Sequence, residues 1–173
     1  MFREFIGLDK FEEGKKVNRR VAVRAVIYKN DLLLMVKSNK GDYKLPGGGL
    51  EKGEEHKSTV IREVLEETGY NVNSVRAYLG EVIERNNDTF EEGSYFEMIS
   101  HYYFCEIDDI IGVQKLDDYE KELDFKVEWV SIDRAIKNNE GLLNKNLEGM
   151  NDWIEREILT LKLIKEIVVN KGE

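Results

Sequence analysis

Between Tyr43 and Tyr70 the chain passes from strand-like to helical spacing of its apolar residues, and it does so across its only proline, Pro46. Pro46 fixes its own backbone and offers no N–H, and three glycines, Gly47, Gly48 and Gly49, follow it. A short strand at Tyr43 to Leu45 is therefore expected to end there. From Glu55 to Thr68 the period is helical, because Val60, Ile61, Val64, Leu65 and Thr68 fall on one face of a helix. Gly69 suits the C-terminal cap of that helix. On the other face Glu63, Glu66 and Glu67 stand at i, i+3 and i+4, so they project side by side from adjacent turns. Like charges at that spacing repel unless a cation or a proton sits among them. Oxygen-only ligation with no nearby Cys or His favours a hard ion such as Mg²⁺ or Mn²⁺.

The segments around this helix complete a mixed pattern. Val21 to Tyr28, then Lys29-Asn30-Asp31, then Leu32 to Val36 reads as a hairpin. Val72 to Ile83, Tyr95 to Ile107 and Phe125 to Val130 are expected strands, with a polar loop from Arg85 to Gly93 and an acidic one from Asp108 to Asp124. A short helix is expected at Asp133 to Asn138. A longer one is expected from Asp152 to Val169, within a C-terminal helical region spanning residues 150–170. The fold class is α/β (α+β): a sheet with one central helix and one C-terminal helix. Without an internal repeat or a linker rich in Pro, Gly and Ser, residues 1–173 are read as a single domain with an N-terminal extension at 1–20.

The 173 residues carry a formal net charge of −9. Proteins that hold long nucleic acid by neutralising many phosphates need a basic surface, so long nucleic acid is set aside as a partner. A small phosphorylated molecule is retained, because bound cations can locally reverse the sign of an acidic site. The single cysteine, Cys105, rules out an internal disulfide and a cysteine zinc cluster and fits a reducing compartment. The first residues, MFREFIGLDKFEEGKK, are broken by charges where a secretory signal needs an apolar run. With no segment long enough to span a bilayer, a cytoplasmic location with no membrane partner is expected.

Gly48, Glu54, Arg62, Glu63, Val64, Glu66, Glu67 and Gly69 reproduce, at the same spacing, the signature of the Nudix (MutT-like) hydrolase family, and this stretch resembles it. Chance alignment of that many fixed residues is expected on the order of once in a hundred thousand such chains. That weighs against reading the glutamates as a merely solvated face. Tyr70 stands where the family usually has an aliphatic residue, a departure expected to alter packing more than chemistry. The flanks resemble the family loosely over about residues 20 to 137. The resemblance implies a Nudix-type mixed sheet and a pyrophosphohydrolase that uses Mg²⁺ (or Mn²⁺) to cleave the phosphate anhydride of a nucleoside diphosphate linked to a variable group.

The same resemblance implies metal binding by Gly48, Glu54, Glu63, Glu66 and Glu67, and catalytic work by Glu66, Glu67 and Arg62. A further acidic residue on the late loop is expected to join them, Glu122 first and then Glu120. It places the small nucleotide-like substrate near Arg24, Lys37 and Lys44. The chemistry agrees, since attack of water on an anhydride needs a proton acceptor and cations for the charge that builds on the phosphoryl oxygens. Arg62 is suited to orienting Glu54 through its forked guanidinium. His56 and His101 lack a Ser or Cys partner and receive no catalytic role. The amphipathic C-terminal helix, with Trp153, Ile154, Ile158, Leu161 and Ile164, is assigned to the core or to a homodimer contact.

Two other classes share the fold. A non-catalytic nucleotide sensor would have lost one or more of the glutamates, and all are present here. An isoprenoid diphosphate isomerase would need a cysteine in suitable surroundings, and only Cys105 is available. The proline that often follows the motif in enzymes acting on sugar nucleotides is absent, as is the later tyrosine common in those acting on dinucleoside polyphosphates. A nucleoside triphosphate or another nucleotide derivative is the leading expectation.

Overall fold

The computed structural model describes residues 1–145 and 149–169. The end of the C-terminal region expected to reach residue 170, and the parts of the single-domain reading at 146–148 and 170–173, lie outside the described residues. Nine strands and four helices follow one another in the described chain. β1 (Phe2–Gly7), β2 (Val17–Val26), β3 (Tyr28–Lys29), β4 (Leu32–Lys37), β5 (Tyr43–Lys44) and β6 (Gly47–Gly49) precede the helix α1 (His56–Thr68). β7 (Tyr70–Asn87), β8 (Tyr95–Ile111), α2 (Asp118–Glu122), β9 (Lys126–Val130), α3 (Ile132–Asn144) and α4 (Ile154–Val169) follow it.

The strands form two sheets. One runs β1-β7-β8-β2-β6 and is mixed, with β1 parallel to β7 and β2 parallel to β8 while β7–β8 and β2–β6 are antiparallel. The other is built on β4, which pairs antiparallel with β3, β5 and β9. The expected hairpin is thus only partly a hairpin: Tyr28 and Lys29 pair with Leu33 and Leu32, but Val17–Val26 belongs to the first sheet. Residues 1–20 include β1 and the start of β2, both within that sheet.

Burial on both faces explains the uniformly apolar strands. Leu33 and Met35 point into a core shared with Leu161 and Ile164 of α4, whereas Leu34 packs with Val60 and Val64 of α1. Such strands lose the alternation that a half-exposed strand would show. α1 ends as its sequence predicts, with Gly69 in the left-handed region (φ 76°) and its N–H bonded to the Leu65 carbonyl at 2.9 Å. The helix at Asp133 extends farther than expected, to Asn144, with Ser131 capping its first turn. No helix among the described residues is long and apolar enough to cross a membrane.

Candidate functional site

The three glycines after Pro46 cross β2 as a short antiparallel strand, and the chain then leads into α1. A side chain on Gly48 would overlap the Glu63 carboxyl group. The Gly47 N–H donates to Glu67 at 2.8 Å, so the backbone of β6 lies directly against two of the helix glutamates. Both are buried, and they share the inward side of α1 with Val60 and Val64. The apolar and acidic faces read from the sequence therefore overlap in space: the helix packs by one edge of its acidic side.

Glu63, Glu67 and Glu120 each place one carboxylate oxygen within 4.8 Å of the others. Glu120 comes from α2, whose first turn is set by a reciprocal cap: the Asp117 carboxylate accepts from the Glu120 N–H at 2.8 Å, and Glu120 accepts from the Asp117 N–H at 2.9 Å. Burial, with the neighbouring Glu67 and Asp117 charges, pushes the Glu120 carboxyl up to about 7. Burial and Glu67 also raise Glu63, opposed by the Arg62 guanidinium. These shifts come from burial and from carboxylates crowded together. The donor set is all oxygen, which fits a hard divalent ion, and the bare α-carbon of Gly48 leaves that side of Glu63 uncrowded.

Two cations organise the cluster. Lys44 is buried, donates to Glu67 at 2.5 Å and lies over the rings of Phe125 (4.7 Å) and Trp153 (5.7 Å). Arg62 holds Glu54 with two parallel hydrogen bonds of 2.8 Å and reaches Glu63 at 2.7 Å and Glu66 at 3.1 Å. That fork holds the Glu54 carboxyl down at about 2, helped by the Glu51 N–H. Glu66, with 38% of its side chain exposed, turns to Arg62 and is not among the three clustered carboxylates.

The cluster opens into a cleft of about 790 Å³. Arg20, Arg24, Glu84, Phe96 and Met98 line it from the first sheet; Tyr119, Phe125 and Trp153 line the opposite side. Arg24 is buried, and its guanidinium donates to the Gly47 carbonyl. Of the other expected site residues, Lys37 pairs with Glu128 at 3.4 Å, Glu122 is exposed at the end of α2, and neither lines this cleft. The rings of His56 and His101 meet at 4.4 Å, tilted by 38°, outside the cleft lining, and burial pushes the Cys105 thiol up to about 12.

Sequence reasoning passed over Arg20, Arg156 and Glu157. Arg156 is bonded to Glu84 at 2.8 Å and to Glu157 at 3.1 Å, and Glu157 accepts from the Leu45 N–H at 2.9 Å. A signal was present, since Glu157 falls on the same helical stripe as Ile154, Ile158 and Leu161, where a charge has no solvated reason to be.

Glu120 carries a prediction about pH. Its folded carboxyl binds a proton more tightly than the unfolded one, so the contribution to stability is complete below about 4.5 and is lost as pH rises through about 7. In chelator, the wild type should lose about 2 kcal/mol more than Glu120→Gln between pH 4.5 and pH 8. Urea melts at the two pH values read this directly, and equal losses in the two proteins would contradict it.

A glycine turn delivering a glutamate-bearing helix to a carboxylate cluster, beside a mixed sheet, defines a fold class that comparison with known proteins identifies. The NUDIX domain model matches residues 18–154, and the chain belongs to that family. A 64-residue stretch is 41% identical to an ADP-ribose pyrophosphatase of Methanocaldococcus jannaschii, covering 35% of this chain and 37% of that protein. Another of 63 residues is 43% identical to an RxLR effector protein of Phytophthora infestans, covering 32% of this chain and 23% of that protein. The chain thus spans well under half the length of either relative in these matches. Among solved structures, a NUDIX hydrolase from Nitrosomonas europaea aligns with a TM-score of 0.54 at 21% identity, over 89% of this chain and 91% of that one. The MutT NUDIX hydrolase from Burkholderia pseudomallei gives 0.50 at 20% identity, over 67% and 85%. At these identities the likeness is one of fold.

Proposed function

We propose that this chain is a divalent-metal-dependent pyrophosphohydrolase that cleaves the phosphate anhydride of a nucleoside diphosphate joined to a variable group. The observation that carries the reading is the trio Glu63, Glu67 and Glu120, with carboxylate oxygens within 4.8 Å of one another at the edge of a cleft. These three residues would hold Mg²⁺ or Mn²⁺, and Gly48 serves by having no side chain. A bound divalent ion supplies charge stabilisation to the phosphoryl oxygens and acidifies water.

The chain's own groups divide the remaining work. Glu120, which reaches the cluster from α2 and not from α1, is suited to take the proton of the attacking water beside the ion. Glu54 anchors Arg62, and Arg62 in turn orients Glu63 and Glu66. Lys44, beside Glu67 and lining the cleft, is placed to meet a phosphate oxygen. Arg24 sits on the cleft lining as a further substrate contact. Lys37 and Glu122 have no part in this reading. We read the described residues as one domain acting as a unit.

The name of the M. jannaschii relative makes ADP-ribose the first substrate to try. Purified protein with Mg²⁺ or Mn²⁺ is expected to release AMP and ribose 5-phosphate from ADP-ribose, and chelator is expected to stop it. Nucleoside triphosphates, sugar nucleotides and dinucleoside polyphosphates belong on the same panel. Silence across the panel with either metal would favour the non-catalytic sensor.

A further inference from the structure

The described cations that line the cleft are Arg20, Arg24, Lys44 and Arg156. Lys44 is paired with Glu67 and Arg156 with Glu84 and Glu157. Arg24 bonds the Gly47 carbonyl, but its buried Nε has no partner. The side chain of Arg20, on the same strand and exposed, makes neither a hydrogen bond nor an ion pair among the described residues. In a chain of net charge −9, a cleft arginine that meets no carboxylate calls for a reason.

The local packing supplies one. Gly49 is not in the left-handed region, so its backbone does not call for glycine. A side chain there, however, would come within 2.9 Å of the Arg20 Nη2 and 3.1 Å of its Nε. With glycine at this position the guanidinium rests against bare backbone, where a side chain would push the flexible end of Arg20 aside. The Gly49 carbonyl also accepts from Arg62 at 3.3 Å, and Gly48 lies against Glu63. One glycine therefore separates Arg20 from the groups that hold the carboxylate cluster.

We propose that Arg20 is an anion seat for the substrate: it takes a phosphate of the nucleoside diphosphate apart from the carboxylate cluster. An exposed guanidinium held beside bare backbone can offer a phosphate two parallel hydrogen bonds. The proposal deepens the hydrolase reading and rests on its placement of the substrate, but its test does not require turnover.

The experiment is calorimetric titration of ADP into the full chain in chelator, for wild type, Arg20→Gln, Arg20→Lys and Arg76→Gln. Arg76 is exposed, paired with Glu106 at 2.7 Å and absent from the cleft lining, so it controls for net charge. Arg20→Gln should weaken ADP about tenfold, as expected for loss of a charge-assisted contact. Arg20→Lys should recover part of that loss, and Arg76→Gln should bind as wild type does. Equal affinity in wild type and Arg20→Gln, an equal loss in Arg76→Gln, or no ADP binding by wild type would each overturn the seat. A silent substrate panel alongside an intact Arg20 effect on ADP would sink the hydrolase reading and leave the seat standing.

Discussion

Glu67→Gln is expected to cut turnover about a thousandfold, as befits removal of a charge that stabilises the reacting phosphate through the cluster. The change keeps the shape of the side chain, and the Gly47 N–H retains an oxygen to donate to. It also strips Lys44 of the carboxylate it meets at 2.5 Å in a buried setting, so the variant should lose about 3 kcal/mol of stability as well. Glu66→Gln separates the two effects. Its place in the family motif is the ground for expecting most turnover to go, and because its carboxylate is 38% exposed and bonded only to Arg62 the unfolding midpoint should stay close to wild type. Steady-state assays beside urea melts check both. Full activity in both variants would remove the acidic side of α1 from the chemistry.

The largest loss of stability is expected at the other wall of the cleft. Glu157 is fully buried, holds the Leu45 N–H at 2.9 Å and pairs with Arg156. Burial works against the Arg156 charge, but Glu84 and Glu157 more than offset it and hold that guanidinium above its ordinary value. Glu157→Ala leaves a buried cation short of a partner and an amide N–H with no acceptor. That should cost about 3–5 kcal/mol and lower the melting temperature by roughly 10 °C. Thermal unfolding followed by circular dichroism measures it. A fall of under about 3 °C would mean that water or Glu84 compensates fully.

These two sites differ in how openly the sequence declares them. The glutamates of α1 are local: their spacing, the glycines before them and Gly69 after them are one continuous stretch. α1 starts one residue after the expected Glu55 and ends at Thr68 as expected. The partners of β2 are not local. With Val23 and Val26 buried in two different clusters, the strand carries no alternation that would say which neighbour it pairs with. A hairpin to Leu32–Val36 was the economical reading, and most of the strand went elsewhere. β1 carries no clean period of two, since exposed Glu4 shares a face with Phe2 and Ile6 while Phe5 lies on the other, and its charges made it look like an appendage.

The late acidic loop shows the same limit at the level of one side chain. Glu120 and Glu122 are two residues apart, and composition cannot rank them. The Asp117–Glu120 cap ranks them in space, because it winds a turn that carries Glu120 inward and leaves Glu122 exposed. Arg20 had no sequence signal of its own. Its interest comes from the glycine beside it and the carboxylates it does not meet.

The parallel pairings of the first sheet have a consequence for how the molecule is made. β1 meets β7 and β2 meets β8 across about 80 residues of chain. During synthesis β1 and β2 leave the ribosome without these neighbours, and β2 waits for β8 as far as Phe104 before its register from Val17 to Val26 can close. Contacts of such long sequence separation make for slow folding, with apolar strands uncovered in the interval. The glutamate helix emerges within that interval. Its buried acidic edge then has no roof until α2 brings Glu120 over it, so the carboxylate cluster can be completed only after α2 has been made.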